Sequence, residues 1–134
     1  MKHYMLIAAI LFCMTALIPL SATAGGKQEA RITYVLKNLK LKGDAQAKFK
    51  PLLTSYFKEL SDIKAPHKAL KEKWAAAIDD DKLSAAQCDQ LLESKMKQEE
   101  AELALRRKYY QKFKTAVTAQ QAYKALKLSD DKMK

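Results

Sequence analysis

The chain has 134 residues, of which 25 are Lys or Arg and 15 are Asp or Glu, and its formal charge at pH 7 is +10. This length supports one domain and excludes two well-packed ones. With only three glycines and three prolines, and no convincing run of alternating apolar and polar residues, the composition predicts an all-helical fold.

The first residues have the three parts of a secretory signal peptide. One firm positive charge, Lys2, precedes residues 5–20, which contain no charged side chain, and Ala22 and Ala24 fit an A-x-A cleavage site. The apolar run is about 16 residues, short of the roughly 20 that span a bilayer. We therefore predict that residues 1–24 are a cleaved signal peptide and that the protein is exported.

Cleavage would leave 110 residues with 24 Lys or Arg and 15 Asp or Glu, a formal charge of +9. Cys88 would be the one remaining cysteine, which excludes an internal disulfide, and we expect it to be a small buried residue on an apolar helix face. His67 would be the one remaining histidine. No cluster has the spacing of metal ligands, so we expect neither a metal nor a cofactor.

The charge alternates along the chain in three blocks. Residues 27–78 carry +7, residues 79–102 carry −5 and residues 106–134 carry +7. The excess of positive charge favours anionic partners. For an exported protein these are an anionic lipid or lipopolysaccharide surface, or acidic polypeptide segments, rather than nucleic acid. If two segments lie antiparallel, within or between chains, the acidic block can pair with a basic one.

The apolar spacing predicts about four helices. A first helix takes residues 29–40, and a second begins near Asp44, which can cap it, and continues to Ile78 with a kink at Pro66. Asp79, Asp80 and Asp81 indicate a solvated turn or cap. A long helix follows over residues 85–116 and a short one over residues 119–128, and residues 129–134 are a charged tail.

Apolar residues recur along the long helix at steps of four and seven, interrupted by two charged side chains, Glu99 and Arg106. This pattern predicts a single, broken apolar face. Its members are Cys88, Leu92, Met96, Leu103, Tyr110, Phe113 and Val117.

Two five-residue motifs, 83–87 and 117–121, share one design: an apolar residue, a hydroxyl residue, two spacers and a glutamine. In a capping box, the hydroxyl of the residue before the helix (the N-cap) accepts a hydrogen bond from the backbone N–H of the third helical residue. The side chain of that third residue, here glutamine, accepts one from the backbone N–H of the N-cap. The preceding apolar residue can pack on the helix as a staple. The predicted structural residues are Leu83, Ser84 and Gln87 in the first motif, and Val117, Thr118 and Gln121 in the second.

These motifs resemble the L-T-x-x-Q repeat of the Spy/CpxP family of bacterial envelope proteins, and most of all its Bacteroides-type relatives. The resemblance covers residues 39–128 and is greatest where residues 107–114 lead into the second motif. Leu41, Phe49 and Pro51 occupy the places of a further corner, in which Lys42 replaces the hydroxyl and the glutamine is displaced to Gln46.

The resemblance implies an elongated antiparallel helical hairpin that dimerises into a curved cradle. It also implies a periplasmic, ATP-independent chaperone or envelope-stress adaptor that binds unfolded envelope proteins. Aromatic residues beside long basic side chains could hold partly unfolded chains by charge and apolar contact. The candidate client-binding residues are Phe49, Tyr56, Trp74, Arg106, Arg107, Lys108, Tyr109 and Tyr110.

Other interpretations are open at this point. Tyr110 and Phe113 could simply be core, beside a solvated basic face that comprises Arg106, Arg107, Lys108, Lys112 and Lys114. The protein could instead be a metal- or stress-sensing regulator of a membrane kinase, using His67 or Cys88 across a dimer, or a basic chaperone of the Skp type. An enzyme is not expected, because the sequence lacks a phosphate loop, a nucleophile with its base, and paired carboxylates in apolar pockets.

Overall fold

The computed structural model describes residues 26–133, with side chains to residue 130; the predicted signal peptide lies outside the described residues. Five helices follow in chain order: α1 (26–39), α2 (Asp44–Lys73), α3 (Ala75–Asp79), α4 (Ala85–Phe113) and α5 (Ala119–Met133). No strand occurs in residues 26–133, so the all-helical prediction is confirmed. In the same range, no helix has both the length and the apolar character needed to cross a bilayer.

The turn between α1 and α2 depends on backbone geometry more than on a capping side chain. Gly43 has φ +59°, a conformation that glycine adopts without a steric penalty, and it stands at the N-cap of α2. The prediction that Asp44 caps this helix is wrong, because Asp44 is its first residue and no side chain bonds the cap. Its negative charge still lies in the first turn, where it interacts favourably with the positive end of the helix dipole.

Helix α2 continues through both Pro51 and Pro66, as one long helix was predicted to do. Both prolines face solvent, so water can replace the hydrogen bonds that their missing N–H groups leave unmade. The helix ends where Trp74 adopts φ −110°, and the five-residue α3 follows. Because of this interruption, residues 26–133 contain five helices where about four were predicted.

Helices α2 and α4 pack side by side and run in opposite directions. Phe49 meets Phe113 near one end of the pair, with ring centroids 4.8 Å apart. Further along α2, Lys64 pairs with Glu102 at 3.8 Å, and one turn later His67 lies next to Ser94 of α4.

The buried core occupies only one end of this helix pair, which we call the head (residues 26–60 and 105–133). The remaining residues, 61–104, we call the arm; none of their hydrophobic side chains is fully buried. In the head, α1 and α5 add side chains to those of α2 and α4. The buried cluster comprises Ile32, Val35, Leu36, Leu39, Leu41, Phe49, Leu53, Tyr56, Phe57, Leu60, Leu105, Tyr109, Phe113, Ala122 and Ala125.

The apolar face predicted for α4 is divided: Phe113 is fully buried in the head and Tyr110 and Val117 are half-buried, whereas the members of the face in the arm are exposed. Leu92, Met96 and Leu103 are 62%, 49% and 52% exposed, and Cys88 is exposed as well, so the prediction that Cys88 is buried is wrong. Helix α2 covers only one side of α4. On that side the buried residue in the arm is the polar Gln98, and the buried residues in the head are apolar or aromatic. We call Leu92, Met96 and Leu103 the α4 stripe.

Helix α5 extends beyond residue 128, the predicted end, to Met133. Ser129 is fully buried, and its hydroxyl donates to the carbonyl of Ala125 at 2.7 Å. Asp130 accepts from Arg106 of α4 at 2.5 Å. Residues 129–133 therefore continue the helix, and Asp130 ties it to α4, where a charged tail was predicted.

Candidate functional site

The two motifs with a hydroxyl and a glutamine form capping boxes. Ser84 Oγ accepts from the N–H of Gln87 at 3.1 Å, and Gln87 Oε1 accepts from the N–H of Ser84 at 2.9 Å. Thr118 and Gln121 make the same pair of bonds at 3.1 and 3.0 Å. Each box satisfies two backbone donors at the start of its helix, so these residues shape the turns on either side of α4.

Three of the candidate client-binding residues lie inside the head. Phe49 and Tyr56 have no exposed surface and Tyr109 is 2% exposed, so these three predicted client-binding residues lie in the core and not on the surface. Their rings pack around Phe113, with centroid distances of 4.8, 5.8 and 5.7 Å respectively. Contacts between aromatic rings at these distances stabilise a core. These rings therefore contribute to the packing of the head and are not exposed to a client.

The basic segment next to this cluster is held by ion pairs within the chain. Arg106 bonds Asp130 at 2.5 Å, and Lys108 Nζ donates to Glu59 at 3.1 Å. The hydroxyl of Tyr109 also donates to Glu59. Burial, and then the bond to Glu59, raises the pKa of Tyr109 to about 12. The same hydrogen bond, with the charge of Lys108, lowers the pKa of Glu59.

Five candidate residues keep exposed surface, and they are not all together; among them Lys108 is exposed and Arg106 is half-buried, each in the ion pair described above. Arg107 is exposed, and Tyr110 is half-buried beneath Lys114, whose ammonium lies 4.7 Å from the ring centre. Trp74 is half-buried at the other end of α2, 18 residues beyond Tyr56, which corresponds to about 27 Å along the helix. The eight predicted residues therefore do not form one surface.

The arm contains a feature that the sequence reasoning missed: a groove of about 770 Å³ between α2 and α4. Its volume is in the range of ligand and peptide sites. Residues at its rim are exposed, so the groove is open to solvent. It is lined by Asp62, Ile63, Pro66, His67, Leu70, Asp89, Gln90, Glu93, Ser94, Lys97, Gln98 and Ala101.

Polar groups in the groove are placed around a partly buried histidine. His67 Nδ1 lies 3.3 Å from Ser94 Oγ. Burial, and then the charges of Lys71 and Lys95, lowers the pKa of His67, which favours the neutral ring. Glu93 pairs with Lys97 at 3.8 Å on the surface. Within residues 26–133, no hydrogen bond or ion pair engages the carboxylates of Asp62 and Asp89, which leaves them available to a ligand.

The signal that could have identified the groove is the polar side of α4. Ser94 and Gln98 face α2 in the arm, where a sealed core would require apolar residues. Only the pairing of α2 with α4 shows that these residues stand opposite Ile63 and Leu70.

No group of three or more His, Cys, Asp or Glu side chains is arranged to hold a metal ion in the part of the chain that the structure describes. A scan against protein-family models, a search of curated proteins and a search of solved structures found no match for this chain.

Proposed function

We propose that this chain is an exported, ATP-independent chaperone or envelope-stress adaptor of the Spy/CpxP type, and that its arm binds unfolded or misfolded proteins. The observation that carries the proposal is the arm itself, 44 residues in which hydrophobic side chains remain partly or largely in water. Exposed apolar surface of this kind is typical of interaction sites.

The client surface in this proposal combines the groove with the tip of α2 and α3. Trp74 is half-buried and Ile78 is 37% exposed, one and two helical turns beyond Leu70 in the groove. Lys73 lies 5.7 Å from the centre of the Trp74 ring, so a cation is placed beside the aromatic surface. Long basic side chains next to apolar ones can hold a polypeptide by both kinds of contact.

A homodimer belongs to the same proposal, with the α4 stripe as its contact. Residues 85–102 of α4 contain five acidic and two basic side chains, whereas residues 103–113 contain four basic and no acidic ones. Two α4 helices that cross antiparallel about the middle of the stripe would cover it and bring Arg106 and Arg107 of one copy near Asp89 of the other.

The proposal is tested by asking whether substoichiometric amounts of residues 25–134 prevent aggregation of a reduced, unfolded protein, followed by light scattering. We expect suppression by the wild type and loss of at least half of it in the double variant Trp74→Ser, Ile78→Ser. Tyr123→Ser, at a 63% exposed aromatic residue of the head, is the matched control. A wild-type chain without suppression would contradict the chaperone assignment.

The dimer has its own measurement. We expect twice the mass of one chain by light scattering at micromolar concentration, and a monomer for Leu103→Glu, which places a charge in the α4 stripe. A wild-type chain that stays monomeric at 100 µM or above, roughly the upper range of transient association, would remove the dimer from the proposal.

A further inference from the structure

The groove lies in the one part of the molecule with an excess of negative charge. The head has 16 Lys or Arg against 5 Asp or Glu, whereas the arm has 7 Lys and 10 Asp or Glu. The net charge of the whole chain hides this division. A cationic segment that approaches the protein would be repelled by the head and directed to the arm.

The groove is also long enough to hold a third helix between α2 and α4. In the head, α1 and α5 cover the α2 and α4 pair and complete a core. In the arm, no described helix covers the groove. Its lining on α4 extends from Asp89 to Ala101, about 18 Å at the rise of an α-helix, which matches a partner helix of three turns.

We infer that this groove binds a helical segment that is apolar on one face and carries Lys or Arg along its edges. The inference rests on the proposed function, and it names the class of client segment that the arm takes. The occupant's apolar face packs on Ile63, Leu70 and Ala101, in the manner of an amphipathic helix laid in a groove.

The carboxylates at the rim provide the selectivity for a cation. Among the described residues, the carboxylates of Asp62 of α2 and Asp89 of α4 accept no hydrogen bond and form no ion pair, so neither has to give up a partner when a ligand arrives. Glu93 is held only by an exposed pair with Lys97 at 3.8 Å, and such pairs contribute little. An anionic segment would instead place like charges against these groups without compensation.

The first test compares two labelled peptides of 14 residues by fluorescence anisotropy. One has Leu on one helical face and Lys on the other, and the second replaces every Lys with Glu. We expect the Lys peptide to bind at least tenfold more tightly in 50 mM salt, with the difference reduced in 500 mM salt by screening. Equal or tighter binding of the Glu peptide would overturn the inference.

The second test removes the charges of the rim without changing side-chain shape. In the triple variant Asp62→Asn, Asp89→Asn, Glu93→Gln we expect the Lys peptide to bind roughly fivefold to twentyfold more weakly, the combined effect of three exposed charge contacts. The control changes the three consecutive carboxylates 79–81 to amides, which alters the net charge equally outside the groove. We expect less than a twofold effect there.

Equal losses in the two variants would mean that the general field of the arm, and not the groove, attracts the peptide, and the inference would be wrong. Circular dichroism shows whether each variant keeps its helices. Aggregation suppression is measured on the same samples. Suppression without selective peptide binding would contradict this inference alone, whereas selective binding without suppression would contradict the chaperone assignment alone.

Discussion

The division into a head with a core and an arm without one predicts very different costs for deleting apolar side chains. Phe113→Ala removes a ring that has no exposed surface and that packs against the rings of Phe49, Tyr56 and Tyr109. Deleting a buried phenylalanine ring typically costs about 3 to 5 kcal/mol. Since domains of this size are stable by about 5 to 15 kcal/mol, the variant should lose a large fraction of its free energy of unfolding.

Urea unfolding followed by circular dichroism at 222 nm measures this cost. With a slope of roughly 2 kcal/mol/M, the midpoint should fall by about 2 M. Leu92→Ala is the matched truncation in the arm, where the side chain is 62% exposed, and its effect on a monomer should stay within about 0.5 kcal/mol. A cost below 1 kcal/mol for Phe113→Ala would refute the packing described for the head.

Two further predictions concern hydrogen bonds. Tyr109→Phe removes the bond to Glu59, which should cost about 1 kcal/mol and raise the pKa of Glu59 toward its ordinary 4.5 in an NMR titration. Because the folded pKa of Glu59 is lowered and that of Tyr109 is raised to about 12, the stabilisation relative to the variant is lost as pH falls below 4.5 and as it rises from 10 to 12. An unchanged Glu59 titration would contradict the bond. Ser84→Ala and Thr118→Ala should each lower the free energy of unfolding in urea by about 1 kcal/mol. The double variant should lower it by the sum of the two, within about 0.5 kcal/mol. A change near zero at either site would mean that its capping box does not stabilise the helix start.

The sequence predicted the helices well because each one depends on local signals. The hydroxyl and glutamine of both capping boxes identify the starts of α4 and α5 at Ala85 and Ala119, where the structure has them. The interruption at Trp74 was not predicted, because apolar spacing continues through it and the change is in its backbone. The helical residues 129–133 were missed because their charge suggested a tail, although Asp130 has a partner in Arg106.

The candidate site was harder to predict, because it depends on which faces meet. The apolar residues of α4 at steps of four and seven indicated one core face; Phe113 does lie in the core, but in the arm α2 covers a different side and leaves the stripe in water. Likewise, Tyr56 and Tyr109 were predicted to bind clients, but the pairing of α2 with α4 buries both. Periodicity identifies an apolar face, but it does not say which partner covers that face.

Hydrogen–deuterium exchange of residues 25–134, with and without a permanently unfolded client, tests most directly whether the arm is the binding surface. If it is, protection on binding is concentrated in the arm, residues 61–104, and is greatest in the peptides that contain Ile63 to Leu70 and Asp89 to Ala101. The exchange of the head, which already holds its core, should change little. Protection confined to the head, with the arm unchanged, would contradict the assignment of the arm as the binding surface.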